Sequence, residues 1–311
     1  MPTLSLLEIM EELAKAHDKK LEKEITPAEK VFLEICRNAE QKIKVEIERL
    51  TRQLSFGKDA RSMEMDLMRA KGTLANITLL YQQHLVNSGV FWATHYYPAI
   101  IEQSIKLMNE FKRKAGITLD TFTEIDALHL KTSLGSWKES LIVAGDDYKR
   151  FVSKTITESI MAGGLGGQKA LAEKFLDNEG LLPTTNLIRE SRAKWQARNE
   201  LIRISRETNI LKDADETYFR MSGPVDNRCT PICLKYVGFI KTKKEWLDIS
   251  PDAMTIGLHF GCRHKWYPVR KEWLPPEEQE AMEGNKRILY NEADRNFIEK
   301  ADVPNKFLTV E

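Results

Sequence analysis

The chain has 311 residues, of which 42% are hydrophobic and 30% are charged, and its 47 basic side chains nearly balance its 46 acidic ones. This near-neutral charge excludes a protein that coats nucleic acid through a general positive surface, and the length allows for two domains. Four cysteines are too few for a disulfide-stapled secreted scaffold, and no N-terminal segment resembles a signal peptide, so we expect synthesis in a reducing cytosol.

Residues 1–160 have the sequence pattern of an elongated helical domain. Its clearest helix is predicted to begin at Thr26 and Pro27, a cap residue followed by a first-turn proline, with Glu29 completing a capping box. Its apolar residues recur every three or four positions and would form one stripe: Phe32, Ile35, Ala39, Ile43, Ile47, Leu50 and Leu54. Gly57 is a candidate stop, and the charged first 25 residues are interpreted as a solvated helix face.

Two further helices with one apolar face each are predicted in the same domain. The two faces consist of Ala70, Leu74, Ile77, Tyr81 and Leu85, and of Ile101, Ile105, Met108 and Phe111. The sequence NSG at 87–89 is predicted to end the first of these helices, and Gly116 the second. Because each helix could bury its apolar face against the others, the pattern predicts a helical bundle.

Residues 161–221 are predicted to form a helical linker followed by a basic helix. The linker sequence MAGGLGGQKALAEKF is rich in glycine, but it lacks the Gly-Lys-Ser/Thr ending of a phosphate-binding loop, so we interpret it as a flexible joint. The basic helix carries Arg189, Arg192, Lys194, Arg198, Arg203 and Arg206, interleaved with Glu190, Glu200 and Glu207. This mixture of charges favours a salt-bridged helix over a surface for nucleic acid.

A small domain with short strands is predicted over residues 222–270, where segments such as KYVGFIKT and HKWYPV are rich in strand-forming residues. A charged C-terminal tail is predicted over 271–311, and its last segment, ADVPNKFLTVE, would be ordered by docking on a partner or on the rest of the protein. Together the four segments predict an α+β protein, predominantly α, in which an elongated helical body precedes a small C-terminal domain.

Three of the four cysteines cluster with a histidine in this small domain. Cys229 and Cys233 form one close pair, and His259 and Cys262 form a second pair about 25 residues later. Zinc prefers four thiolate and imidazole ligands, which structural sites usually supply as two close pairs. We therefore predict a structural zinc site with these four ligands. His264 is an alternative ligand, and a metal-free cluster of buried cysteines is the alternative to a metal site.

Catalysis is not predicted for this cluster. A catalytic metal needs an open coordination position and a general base, whereas four protein ligands close the site. The sequence also lacks H-E-x-x-H, the deaminase pairing of H-x-E with P-C-x-x-C, and G-x-S-x-G. We expect neither an enzyme nor a small-molecule substrate, and we expect Arg263 to hold carboxylates or carbonyls within the domain.

Three segments, RISRETN, DNRCTPIC and HFGCRH, follow one another between residues 165 and 270. In this order they resemble the C-terminal module of the phage minor head proteins, the Mu-F-like or head-morphogenesis family. The positions that match are Asp226, Arg228, Pro231, Cys233, Gly238, His259, Cys262 and Arg263. The chain departs from the family in placing three residues between Cys229 and Cys233, where many members have two. His264 also stands where the family often has a cysteine.

The resemblance implies a minor structural protein of a phage head that acts in capsid assembly near the portal and in DNA packaging or delivery. Its expected partners are the portal protein, the major capsid protein or both, and contact with packaged DNA is a further expectation. The expected location is the virion head, after synthesis in the host cytoplasm. No membrane partner is expected, because apolar runs such as LIVAG are far shorter than the roughly 20 residues that cross a bilayer.

The alternative function is a zinc-dependent nucleic-acid-binding module. It would use the basic helix over residues 189–206, together with Lys241, Lys243 and Lys244 beside the metal site. Binding of this kind weakens steeply as salt concentration rises, because each neutralised phosphate releases a counterion.

Overall fold

The computed structural model of the protein describes residues 6–114, 124–175, 190–210, 216–259, 262–289 and 292–301. Within these ranges the chain is mostly α-helical and has one small antiparallel sheet of three strands, which confirms the predicted fold class. The helices are α1 (Leu6–Gln53), α2 (Ala60–Tyr81), α3 (Ser88–Lys114), α4 (Glu124–Ala162), α5 (Gly164–Phe175), α6 (Glu190–Ile210), α7 (Pro231–Tyr236), α8 (Lys243–Ile249), α9 (Pro276–Glu283) and α10 (Glu292–Lys300), and the strands are β1 (Tyr218–Ser222), β2 (Ile240–Thr242) and β3 (Lys265–Val269). None of the helices that the structure describes combines the length and apolar composition needed to cross a membrane.

The chain separates into two compact units, each assembled from stretches that are distant in sequence. The sheet unit comprises residues 1–24, 97–129 and 199–311, and the helical unit comprises residues 25–96 and 130–198. The sequence predicts consecutive domains instead, with a boundary near residue 221, and strand β1 lies across that boundary.

Helix α1 begins far upstream of the cap predicted from sequence. It includes Pro27 in its interior, so the capping box is not the start of a helix. The predicted apolar stripe is confirmed by the burial of Phe32 and Leu50, and it continues upstream to Leu21, which is also buried. Burial along this longer stripe outweighs the loss of a backbone hydrogen bond at the proline. The charged residues of the first 25, such as Lys15 and Lys19, are exposed as predicted, whereas Leu21 shows that the same stretch also has a buried side.

The sequence NSG does not end a helix. Helix α2 continues through a π-helical turn, Gln82–Asn87, into α3, and Gly89 lies inside α3. A Cβ at Gly89 would lie 2.6 Å from Cδ1 of Leu141 on α4. Trp137 on α4 also donates a hydrogen bond over 3.1 Å to the carbonyl oxygen of Gly89. Glycine is present here because two helices pack closely, and that need overrides its use as a stop signal.

The glycine-rich segment forms a joint between helices, as predicted. Gly163 separates α4 from α5 and Gly164 begins α5, and their φ values of 60° and 57° are a conformation that favours glycine. The N–H of Gly164 donates to the carbonyl oxygen of Phe56 over 2.6 Å, and the N–H of Gly167 donates to that of Gly163 over 3.1 Å. These backbone donors are already used, which agrees with the rejection of a phosphate-binding loop.

The sheet has the strand order β2-β1-β3 and is buried on both faces. Phe219 on β1 and Trp266 on β3 belong to one core cluster, which also contains Trp246 of α8 and both Cys233 and Cys262. Residues on the other face, including Tyr267 and Val269, pack against apolar residues of α1, α3 and α9. Each of the two segments predicted to be strand-rich contains a strand, but the first contributes only Ile240–Thr242, because its beginning belongs to α7. Residues of β1 and β3 pack in the same cluster as Cys233 and Cys262.

The segment predicted as a charged tail contributes helices and buried side chains to the sheet unit. Arg287 is fully buried and donates hydrogen bonds to the carbonyl oxygens of Leu234 and Lys235 over 2.7 and 2.9 Å. Ile298 on α10 is buried as well. The segment resembles a charged tail in composition. Arg287 nevertheless has a buried position, because it binds backbone carbonyl oxygens, and such partners cannot be recognised from sequence. Residues 302–311, the last part of the predicted tail, lie outside the described residues.

Candidate metal centre

Three of the four predicted ligands come together in the sheet unit. Cys233 lies on α7, and His259 and Cys262 lie in the segment that leads into β3. Their ligand atoms are all within 4.8 Å of one another, and the Sγ atoms of Cys233 and Cys262 are 3.6 Å apart. Two sulfurs bonded to one zinc ion at about 2.3 Å and at the tetrahedral angle would be about 3.8 Å apart. This group could therefore hold a metal ion.

Local backbone structure directs these side chains toward one point. Pro231 occupies the first turn of α7, so that the helix starts two residues before Cys233. The N–H of Cys262 donates to the carbonyl oxygen of His259 over 3.1 Å, which closes a turn between these two ligands. Gly257 has a φ of 103°, and a Cβ there would lie 2.4 Å from Cβ of Cys262. Glycine is the residue that lets the loop pass this close to the cysteine.

The fourth predicted ligand, Cys229, has other partners. Its thiol is half-buried and donates to the carbonyl oxygen of Pro224 over 3.0 Å, and a guanidinium nitrogen of Arg263 lies 3.7 Å from its sulfur. His264, the alternative ligand, is buried, and its Nδ1 lies 3.7 Å from the Sγ of Cys262. Its ring also interacts with the sulfur of Cys229.

The electrostatics of the cluster favour a thiolate at Cys262. A hydrogen bond from Cys233 lowers the pKa of Cys262, and His264 and Arg206 act in the same direction while burial opposes them. The shared hydrogen bond and burial raise the pKa of Cys233. Burial lowers the pKa of His264, but the sulfurs of Cys229 and Cys262 outweigh this effect and raise it to about 9. Because metals bind thiolates, a lowered pKa at Cys262 favours the charge state that a metal requires.

Arg206 on α6 is buried beside this cluster. One guanidinium nitrogen donates to the carbonyl oxygens of Thr255 and Ile256 over 3.1 and 2.6 Å. The other donates to the carbonyl oxygens of Cys262 and His264, the latter over 2.7 Å. The guanidinium carbon also lies 5.6 Å from the ring centroid of Trp266. These contacts fix the loop that carries two of the three grouped ligands.

The sequence places Arg206 in a basic helix and does not indicate that it binds the carbonyl oxygens of the ligand loop. Its position in the segment RISRETN, one of the three that carry the family resemblance, is the signal that could have drawn attention to it. Its charge is not available to an external ligand, because burial places the guanidinium out of solvent and lowers its pKa.

Asp226 and Arg263 form a two-bond ion pair at the edge of the cluster. The two guanidinium nitrogens of Arg263 donate to the two carboxylate oxygens of Asp226 over 2.9 and 2.5 Å. The hydrogen bonds from Arg263 hold the pKa of Asp226 well below its usual range. The N–H of Arg228 also donates to this carboxylate over 2.9 Å. The prediction that Arg263 holds a carboxylate within the domain is confirmed.

Two further cations of the basic helix are paired with carboxylates. Arg203 contacts Glu200 over 2.6 Å and Glu207 over 2.5 Å, and Arg198 contacts Glu29 over 2.5 Å. The predicted salt-bridged helix is therefore confirmed for this part of α6. Arg189 lies outside the described residues.

No protein-family model, curated protein or solved structure matches the chain. Its function is therefore inferred from the geometry above together with the motif resemblance.

Proposed function

We propose that the protein is a minor structural component of a phage head, and that its sheet unit is a zinc-stabilised module acting in capsid assembly near the portal. The observation that carries this proposal is that the residues of the three motif segments contact one another. Arg206 of the first segment binds carbonyl oxygens of the third, Asp226 of the second binds Arg263 of the third, and the sulfurs of Cys233 and Cys262 meet.

Each of these contacts holds the module together, which supports a structural role rather than a catalytic one. Gly238, another matched position, also has a structural role within the module. Its φ is 86°, and a Cβ there would lie 2.8 Å from the carbonyl oxygen of Ile288, whose N–H donates to the carbonyl oxygen of Gly238 over 3.0 Å. The matched residues therefore act as a set of internal supports.

Zinc is the metal that this donor set favours. Thiolate and imidazole ligands suit zinc, whereas magnesium and calcium take oxygen ligands. Bound zinc would join α7 to the segment before β3, and the binding free energy of a structural zinc ion adds to the stability of the fold.

The surface of α2 supports an assembly function. Its buried face carries Ala70, Ile77 and Tyr81. On the opposite side, residues at spacings of three and four form a second, exposed row of apolar and small side chains: Met65, Met68, Gly72, Ala75 and Leu79. Exposed apolar rows with this period are typical of helices that pack against a helix of another subunit. We refer to these five residues as the α2 row and assign it to contact with a portal or capsid subunit.

Nucleic-acid binding has less support from the same structure. Arg206 is buried, Arg198 and Arg203 are paired with carboxylates, and the amine of Lys241 donates to the side-chain oxygen of Asn285 over 2.8 Å. A phosphate backbone would have to displace these partners before it could use the charges.

The proposal is tested by quantitative mass spectrometry of purified virions and assembly intermediates from the source. We expect the chain at a low, fixed ratio to the major capsid protein, and the ratio should survive washing with high salt. Absence of the chain from both kinds of particle would overturn the proposal. Salt-sensitive binding of the purified chain to DNA would then make nucleic-acid binding the better explanation.

The partner surface is tested in the same particles with a matched pair of variants. Met68→Glu places a charge in the α2 row, and Val143→Glu places the same charge at another exposed apolar position, on α4. We expect Met68→Glu to reduce incorporation about thirtyfold, the loss that corresponds to one hot-spot contact, and Val143→Glu to have little effect. Equal incorporation of both variants would remove the α2 row from the proposal.

A further inference from the structure

The three grouped ligands leave one position of a tetrahedral site to be filled. Structural zinc sites are almost always four-coordinate, and Cys233, His259 and Cys262 supply three donors. Two side chains lie beside this group and could supply the fourth: Cys229, a thiol, and His264, an imidazole. They differ in distance, burial and existing partners.

His264 lies at ligand distance from one of the three grouped residues, Cys262, and its ring would have to approach the other two for the four to share a metal. Bonds of about 2.3 Å to sulfur and about 2.0–2.1 Å to nitrogen, set at the tetrahedral angle, separate the two ligand atoms by about 3.6 Å. The observed distance from Nδ1 of His264 to Sγ of Cys262 is 3.7 Å. The distance between the sulfurs of Cys262 and Cys233 agrees equally well with its own expected value.

The surroundings of His264 hold its ring in place beside two sulfurs. The side chain is 1% exposed, and its ring interacts with the sulfurs of Cys262 and Cys229. Gly223 packs directly on the ring, because a Cβ at that position would lie 2.8 Å from Cδ2 of His264. Nδ1, which faces the Sγ of Cys262, is the nitrogen that could bind the metal, and imidazole is the commonest metal ligand among side chains.

The sulfur of Cys229 is held by other groups. It donates to the carbonyl oxygen of Pro224, lies near the guanidinium of Arg263, and is only half-buried. Arg263 is itself fixed by two hydrogen bonds to Asp226. Cys229 also interacts with His264, but it would have to leave Pro224 and Arg263 to bind the metal, whereas His264 already contacts Cys262.

We infer that His264 is the fourth ligand of a zinc site formed with Cys233, His259 and Cys262, and that Cys229 lies outside the coordination sphere. The site would then have two sulfur and two nitrogen ligands, where the sequence pattern predicts three sulfurs and one nitrogen. This inference rests on the proposed zinc site.

X-ray absorption spectroscopy of the full chain loaded with one equivalent of zinc distinguishes the two ligand sets. We expect two sulfur neighbours at about 2.3 Å and two nitrogen neighbours at about 2.0–2.1 Å. Three sulfurs and one nitrogen would overturn the inference but leave the zinc proposal in place. Failure of the chain to bind zinc stoichiometrically would overturn both.

Two variants provide an independent measurement by competition with a zinc chelator. His264→Ala should weaken zinc affinity by more than the 10–100-fold typical of losing an outer-shell partner. Cys229→Ser, which keeps a donor for Pro224, should leave the affinity within about threefold. The reverse order would identify Cys229 as the ligand. If His264→Ala does not fold, the absorption spectrum of the unchanged protein still decides the question.

Discussion

The helical unit buries mainly the apolar stripes of long helices, whereas the sheet unit also buries three arginines, Arg206, Arg220 and Arg287, together with His264 and Lys265. The arginines donate to backbone carbonyl oxygens, for example Arg220 to Ile288 over 2.9 Å. Apolar packing tolerates small changes in shape, while a buried cation requires acceptors at fixed positions. We therefore expect the helical unit to lose stability gradually under substitution and the sheet unit to lose it abruptly.

The largest expected difference between the units follows from removing a zinc ligand. Cys262→Ser should abolish stoichiometric zinc binding and make residues 216–289 sensitive to protease, while the helical unit keeps its resistance. The physical reason is that structural zinc binding can contribute on the order of 10 kcal/mol, comparable to the whole stability of a domain. Limited proteolysis followed by mass spectrometry would check this.

Cys36→Ser, at the buried cysteine of the helical unit, is the matched control and should not alter zinc binding. Unchanged protease resistance of 216–289 in Cys262→Ser would contradict the zinc site.

A second large effect is expected at Arg206. Arg206→Leu leaves four carbonyl oxygens in the loop of residues 255–264 without their donor and should lower the free energy of unfolding by about 3–5 kcal/mol. Arg206→Lys keeps the charge but cannot reach all four acceptors, so an intermediate loss of about 1–3 kcal/mol is expected. Urea unfolding monitored by tryptophan fluorescence would measure both. If Arg206→Lys were as stable as the unchanged protein, the positive charge alone, and not the four hydrogen bonds, would account for the stabilisation.

Two glycine substitutions sharpen the comparison at a smaller scale. Gly257→Ala in the sheet unit should lower stability by about 2 kcal/mol, because its φ of 103° and the nearby Cβ of Cys262 both oppose a side chain. Gly72→Ala in the helical unit should raise stability by about 0.5–1 kcal/mol, because Gly72 lies in a helix with open space around it. Thermal unfolding of the two variants would check the opposite signs. A stabilising Gly257→Ala would show that the loop can move away from Cys262.

Another small effect is expected as a pH dependence of stability in the helical unit. Burial raises the pKa of Glu40 from 4.5 to about 7, although Lys44 opposes the shift. The folded state therefore binds more protons than the unfolded state between these values, so stability should fall as pH rises through that range, by on the order of 1 kcal/mol. Urea midpoints at pH 5 and pH 8 would measure the loss. Glu40→Gln should reduce the dependence, and an unchanged slope in this variant would assign it to other groups.

The sequence predicts the helical stripes and three grouped metal ligands, since both depend on residue type and spacing alone. Residues such as Phe32 and Leu50 recur with the helical period, and the close pair His259 and Cys262 needs only a turn to meet at a metal. The errors arise where distant contacts override a local signal. Pro27 lies inside a helix because the apolar stripe continues on both sides of it. Gly89 serves a close helix contact instead of a helix end.

The buried arginines could not be predicted, because their partners carry no sequence signature. Any residue type supplies a backbone carbonyl, so nothing in the sequence around Thr255 or Leu234 indicates that a guanidinium binds there. Arg206 and Arg287 therefore look like surface cations in a charged segment. The burial of His264 likewise has no signature in the sequence, so the sequence alone indicates it only as an alternative ligand.

Arg206 also determines how this module can be exchanged between proteins. The arginine is supplied by α6, while its acceptors lie about 50 residues later in the chain. A gene fragment that begins at β1 would carry the loop and the metal ligands without the cation that fixes them. Recombination that transfers the loop together with its arginine must therefore cut upstream of Arg206, and the recipient must also supply apolar residues equivalent to those of α1 and α3 that cover the sheet.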